Sequence, residues 1–324
     1  MSSHANTASY PYTLSISLLK KFEVVIHTAD GMSYRVPISP NAMRVQLLAY
    51  FAWKRDKIRI EKFLNGFFPV KGKAAQSAFH AHVRLVKGDI QDAIDRLNTK
   101  RGTDPLPTNP ALFEHKKQYW WKLFSIWQVT DLEKVEAYAR IVQKAERLSS
   151  LGPIPEHIRQ ACHALVAAYP GDFLEEMLLA YPEEFQPMVT SWVREPYTLY
   201  RENYLQALWW AAEDEWQRGK ANADGQPLVH FDQSAKLFEK YAMYACNGRL
   251  DTRVYFPTEK LHEGPRVFMS EEALCRSLTI YKARGRTQDF ETCKRAYTRQ
   301  MERISRGVWK PGEHLREIIQ SIIQ

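Results

Sequence analysis

The sequence has little of what most hydrolases, secreted proteins or membrane proteins rely on. Its 324 residues include 4 cysteines, Cys162, Cys246, Cys275 and Cys293, far apart and with no Cys-x-x-Cys pair. That spacing argues against a disulfide framework or a zinc site and reads as reduced, half-buried thiols of a cytoplasmic protein. The opening MSSHANTASYPYT has no basic region followed by an apolar run, so no secretory leader is expected. No uninterrupted apolar stretch is long enough to span a bilayer, and no membrane partner is expected. Gly66…Gly72-Lys73 lacks the Ser or Thr that a phosphate loop places after its lysine. His80-Ala-His82 holds two imidazoles that a helix would turn to different sides, which is not a metal pair. Cys162-His163 are helix neighbours and cannot form a nucleophile–base pair by themselves. Glu213-Asp-Glu215 reads as a solvated helix face, and Trp209, Trp210 and Trp216 read as core. No catalytic residue, metal or cofactor is therefore expected, and the chain does not read as an enzyme.

What is present is positive charge, unevenly distributed. Residues 1–129 carry 19 lysines and arginines against 9 acids, a net of +10, while residues 130–324 carry 26 against 28. The overall charge of +8 thus belongs to the first part. A compact module with that excess attracts polyanions by neutralising phosphates and releasing counterions. Within it, Lys71-Gly-Lys-Ala-Ala-Gln-Ser-Ala-Phe-His-Ala-His-Val-Arg-Leu-Val-Lys87 has helical periodicity. Ala75, Phe79, Val83, Val86 and Ile90 fall on one side; Lys73, Gln76, Ser77, His80, Arg84 and Lys87 fall on the other.

The order of segments around this stretch suggests its role. Leu14–Leu18, Phe22–Thr28 and Met32–Pro37 read as strands of a small antiparallel sheet, with Asp30-Gly31 as a turn. Ser39-Pro40-Asn41 opens a helix to about Arg55, and a second helix, Ile60–Gly66, stops before Pro69. The basic stretch is then a third helix, 72–87, followed past Gly88 by a short helical extension, Asp89–Leu97. After a loop over residues 99–110, Leu112–His115 and Tyr119–Phe124 read as a hairpin with Lys116 and Lys117 at its tip. Two helices, a short loop, a third helix and a hairpin form a winged helix-turn-helix pattern. From Asp131 the chain reads as helices: Leu132–Leu148, Glu156–Ala168, Leu174–Ala180, Trp192–Gly219, Gln233–Cys246, Ser270–Ala283, Gln288–Ser305 and Glu313–Ile323. Their lengths and Gly-marked turns suggest a tetratricopeptide-like array, though no strict repeat recurs.

Taken together, these features resemble the SARP-type bacterial transcriptional regulators, which join an OmpR-like winged helix to a helical bacterial transcriptional activation domain. The resemblance runs from Leu14 to Ile323. It is carried in the front part by Leu14-Ser-Ile-Ser-Leu-Leu-Lys-Lys-Phe-Glu-Val25, by Ile60–Pro69, by His82-Val83-Arg84 and by the segment Tyr119–Asp131. In the rear part it is carried by Tyr169-Pro-Gly-Asp-Phe-Leu174, Trp192-Val-Arg-Glu195, Tyr200–Leu208, Glu271–Leu278, Tyr281 with Gly285, and Cys293–Tyr297. Leu85 and Val86 stand where the family usually has further arginines.

The expected fold is therefore mostly α: a disordered N-terminus over 1–13, a winged helix-turn-helix (α+β) over 14–129 and an all-α tetratricopeptide-like domain over 130–324. The expected function is sequence-specific binding of double-stranded DNA by a transcriptional regulator, with an activator implied by the resemblance. Gln76 and Arg84 are the candidates for reading base edges, because an amide pairs bidentately with adenine and a guanidinium with guanine. Ser77 and His80 share their face. Lys71, Lys73, Lys87, Lys116 and Lys117 are candidates for phosphates, with Lys54, Arg55 and Lys57 adding backbone contacts. The resemblance further implies that the helical domain contacts RNA polymerase or a second copy of the chain. The rival reading is a winged-helix and tetratricopeptide-like interaction scaffold that binds no specific promoter.

Overall fold

The computed structural model describes residues 10–38, 42–68, 70–102, 104–116, 120–143, 154–180, 192–246, 265–305, 307 and 309–321. It is mostly helical with a small N-terminal sheet region, a winged helix followed by helices. By contacts it divides into two compact units. The first is residues 1–134 with 170–198, and the second is 135–169 with 199–324. The front unit thus extends past the expected interval of 14–129 and takes in a later segment.

Three strands open the first unit: β1 (Tyr12–Ser17), β2 (Glu23–Thr28) and β3 (Ser33–Val36). They pair antiparallel, with Leu14 opposite Ile26 and Val24 opposite Val36. Leu14, Ile16, Val24 and Ile26 turn to the core and are essentially inaccessible, the period-two alternation of a one-sided sheet. Tyr12 is buried rather than disordered: its hydroxyl donates to the Pro107 carbonyl, and Tyr10 packs edge-on against Phe124. Order therefore starts ahead of the expected boundary at residue 14, because a later loop folds over the first strand.

Helix α1 (Ala42–Lys54) follows, then a two-residue strand β4 (Ile58–Arg59), α2 (Ile60–Phe67) and α3 (Lys73–Arg101). The expected capping residues 39–41 lie outside the described residues. The third helix is longer than expected: it runs through Gly88 without interruption for 29 residues. The reason is on its buried face, where Ala75, Phe79, Val83 and Val86 continue as Ile90, Ala93, Ile94 and Leu97. Burying four further apolar side chains outweighs the ~1 kcal/mol that a helical glycine costs relative to alanine. Arg44 adds a hold on Asp89, its Nη1 donating to both carboxylate oxygens at 2.7 and 3.0 Å. The helix stops at Gly102, whose φ of +73° a side-chain-bearing residue would resist.

The loop after α3 is pinned rather than loose. Asn98 holds Leu106 from both sides, accepting its N–H at 2.6 Å and donating to its carbonyl at 3.0 Å. Strands β5 (Phe113–Lys116) and β6 (Trp120–Leu123) form the expected hairpin, and β4 pairs with β6 on its other edge. The wing is therefore a three-stranded sheet in the order β4-β6-β5. A last strand, β7 (Trp127–Val129), returns to lie parallel to β1, with Leu14 opposite Trp127.

The segment 170–198 has a physical reason for joining this unit. Lys20 N–H donates to Asp172 O, Leu174 N–H to Leu18 O and Glu176 N–H to Lys20 O, each at 2.7 Å, so the chain after β1 is zipped to the Gly171-Asp-Phe-Leu174 turn. Tyr197 closes the turn by donating to Asp172 at 2.7 Å. Trp192 stacks on Trp53 and packs edge-on against Tyr50 and Phe173.

The second unit is helical. It contains most of α4 (Thr130–Val142), then α5 (Glu156–Ala168), most of α7 (Arg194–Lys220), α8 (Pro227–Cys246), α9 (Pro265–Ala283), α10 (Thr287–Ser305) and α11 (Glu313–Gln320); the short α6 (Glu175–Ala180) belongs to the first unit. Several boundaries differ from the sequence reading; α9, for one, starts at Pro265 rather than Ser270. Helix α8 starts at Pro227 rather than Gln233, since proline suits the first helical position. Gly219 lies inside α7 rather than ending it; it has no side chain because the Phe231 ring occupies that space. Helix α9 packs on α8, α10 and α11. Ser270 sits buried at its heart, donating to Ala242 O at 3.0 Å and bonding Cys246 Sγ and Tyr297 Oη. All four cysteines are free and buried, and burial pushes the Cys162, Cys275 and Cys293 thiols up to about 12. The expected solvated face at Glu213-Asp-Glu215 is a correction: Glu215 is 6% exposed, because α5 and α8 supply histidines beside it. Among the described residues no helix is long and apolar enough to cross a membrane.

Candidate nucleic-acid interface

The first half of α3 is built to stand clear of the unit that carries it. Its apolar side is locked by aromatic packing: Phe79 meets Trp121 of the wing edge-on at 4.9 Å, Phe63 of α2 at 5.5 Å and Phe51 of α1 at 6.4 Å. One buried ring thus joins the three helices and the hairpin, which fixes the rotation of α3 about its own axis. The opposite side follows from that rotation. Lys73, Gln76, Ser77, His80, Arg84 and Lys87 are all exposed and occupy a sector about 100° wide at 100° per residue. Lys71, just before the helix, is exposed as well.

Charge on this side is uncompensated. Among the described residues no acid forms an ion pair with Lys71, Lys73, Arg84 or Lys87. After Gly88 acids join the bases, with Asp89, Asp92 and Asp95 against Arg96, Lys100 and Arg101. Asp89 is held by Arg44, Asp92 and Asp95 are exposed, and Gln91 spends its amide on Asp95 at 2.8 Å. The cationic part therefore spans residues 73–87, roughly 22 Å of helix at ~1.5 Å per residue. Gly72, with φ +64° and ψ −135°, turns the chain sharply into its first turn.

The two histidines differ. His80 is exposed, with its ring beside Trp121 at 5.6 Å. His82 is half-buried near Phe68; burial first, and the Arg44 charge second, hold it below the usual histidine range, so it is neutral at pH 7.

The other proposed contacts separate into four groups. Lys57 is exposed beside β4. Lys54 has neighbours of its own: its ammonium lies 3.6 Å from the Trp53 ring and 3.7 Å from a Glu195 carboxylate. Arg55 is only partly exposed, on a left-handed residue with φ +53° that ends α1. Lys116 closes β5 opposite Trp120, its side chain outside what is described, and Lys117 lies outside the described residues.

One contributor escaped the sequence reading. Arg59 of β4 is exposed and lies over the Trp120 ring at 5.1 Å, and Trp120 itself is among the exposed large hydrophobics. A two-residue strand gives no period to detect, so its pairing with the wing had no signature. Lys122 is tied to Glu114 across the hairpin at 3.0 Å.

No family model matches the chain. No curated protein matches it either. Among solved structures it is similar to Mycobacterium tuberculosis EmbR in complex with a low-affinity phosphopeptide, at 15% identity and a TM-score of 0.46. The alignment covers 96% of this chain and 65% of that one, so the chain spans less than two thirds of its length.

Proposed function

We propose that this chain is a sequence-specific, double-stranded-DNA-binding transcription regulator whose α3 enters the major groove. One observation carries the reading: an exposed, uncompensated cationic helix face whose back is locked to a three-stranded wing. B-DNA's major groove, about 12 Å wide, admits an α-helix. Gln76 and Arg84 face outward and read base edges; Lys71, Lys73 and Lys87 contact phosphates. Exposed Lys57 and the Arg59–Trp120 pair extend the backbone contact. The helical unit serves as the surface for a second copy or for RNA polymerase, and the sign of regulation is activation, in line with the family that the motifs resemble.

Selection of bound fragments from a random duplex pool, repeated with Arg84→Ala, tests this. The wild-type chain should enrich one motif, and the variant should bind it roughly 5- to 160-fold more weakly with a blurred preference at one base pair. Enrichment of no motif, with affinity insensitive to salt, would instead favour a protein-interaction scaffold.

A further inference from the structure

The second unit contains a group of metal-ligating side chains that no sequence spacing announces. His163 on α5 and the neighbours Asp214 and Glu215 on α7 each offer one donor atom, and these atoms lie within 4.8 Å of one another. His163 Nε2 stands 3.6 Å from Glu215 Oε1. Donors around a tetrahedral ion with bonds of ~2.0–2.2 Å stand ~3.3–3.6 Å apart, so this pair already has the required separation.

Three further observations favour an ion over a plain ion-pair network. The Asp214 side chain is 11% exposed, yet its Oδ2 is buried without a hydrogen bond; the nearest cation, Arg159 Nε, is 3.8 Å away and is also engaged by Glu156. A covered carboxylate oxygen ordinarily has a donor. Glu215 has its other oxygen fixed by His230 Nδ1 at 2.6 Å, the supporting contact that orients a ligating carboxylate. His163 is 39% exposed, so the cluster keeps a path to solvent and room for a water in the remaining position.

We infer that His163 Nε2, Asp214 and Glu215 bind one divalent transition-metal ion of the zinc class, which ties α5 to α7. The set of one imidazole and two carboxylates suits zinc or cobalt(II) and offers no thiolate for softer ions. The ion neutralises the adjacent Asp214 and Glu215 carboxylates, of which Asp214 shares its arginine, Arg159, with Glu156.

The full-length chain, stripped with chelator and dialysed, is titrated with cobalt(II) and with zinc. The expected result is saturable binding of one equivalent, visible cobalt absorption bands displaced by zinc, and a rise in the thermal midpoint. His163→Ala should abolish the bands and lower affinity at least tenfold, whereas His157→Ala, an exposed histidine on the same helix, should leave both unchanged. Far-ultraviolet circular dichroism identical to wild type shows that His163→Ala is folded. If that variant is not folded, Asp214→Asn is used in its place with the same expectation. Absence of saturable binding, or equal binding by wild type and the folded variant, would leave an ion-pair network only and overturn the inference.

Discussion

Replacing Lys71, Lys73 and Lys87 together by alanine should change the salt dependence of DNA binding by a calculable amount. These three are the exposed, uncompensated lysines at and just before α3 that contact phosphates in the proposed docking, whereas Arg84 reads a base edge. Each phosphate neutralised adds about 0.9 to the slope of log affinity against log salt, so the three lysines contribute about 2.7. Between 50 and 200 mM salt that contribution corresponds to a ~40-fold loss of affinity, which the triple variant no longer shows. Fluorescence anisotropy on the selected duplex across that range reads the difference directly. Contacts from Lys57, Arg59 or the wing add to both proteins equally and cancel in the comparison. A triple variant whose slope falls by less than about 1 would show that these lysines do not touch phosphates, and the placement of α3 in the groove would fail.

Other outcomes follow from the packing. Phe79→Ala removes the ring that joins α1, α2, α3 and the wing and should cost about 3–5 kcal/mol in urea unfolding; a loss under 1 kcal/mol would mean the ring is not the keystone. Gly171→Ala places a Cβ 2.9 Å from Lys20 Cβ and against the Glu175 carboxylate, so unfolding should shift by roughly 1–3 kcal/mol with m unchanged. Asp131→Ala frees the N–H groups of Leu18 and Leu19, now 2.5 and 2.6 Å from its carboxylate, and should cost roughly 1.5–3 kcal/mol. His82 titrates below the ordinary histidine range in the fold, so the unfolded chain takes up its proton first as pH drops. Stability should therefore decline as pH falls through ~6.5 and level off below the depressed value, a decline that His82→Gln should reduce.

How much of this was legible depended on whether the signal was local. The face of α3 was readable because its apolar positions recur every three or four residues, and the same rotation that buries Phe79 exposes Arg84. The first two sheet strands, α5 and the hairpin were readable for the same reason, each carrying its own period or turn. Gly88 misled because a helix breaker is weighed against its neighbours alone, whereas Ile90, Ala93, Ile94 and Leu97 are held by packing that a local reading does not see. Strands β4 and β7 are two and three residues long and exist only through their partners, Trp121 and Leu14. The Glu195 carboxylate beside Lys54 was not readable because it lies 141 positions away in the chain.

Glu215 shows the same limit with a chemical consequence. On its own helix, an acidic triplet is most economically read as solvated, because burying a lone carboxylate is costly. That argument holds only while the carboxylate has no partners. Here α5 brings His163 and α8 brings His230 to its two oxygens, which reverses the inference without changing any residue near it in sequence. The cationic face of α3 and the His163–Asp214–Glu215 cluster therefore differ in kind. The first is a property of one helix that the fold has only to orient, whereas the second exists only once α5 and α7 of the second unit have packed.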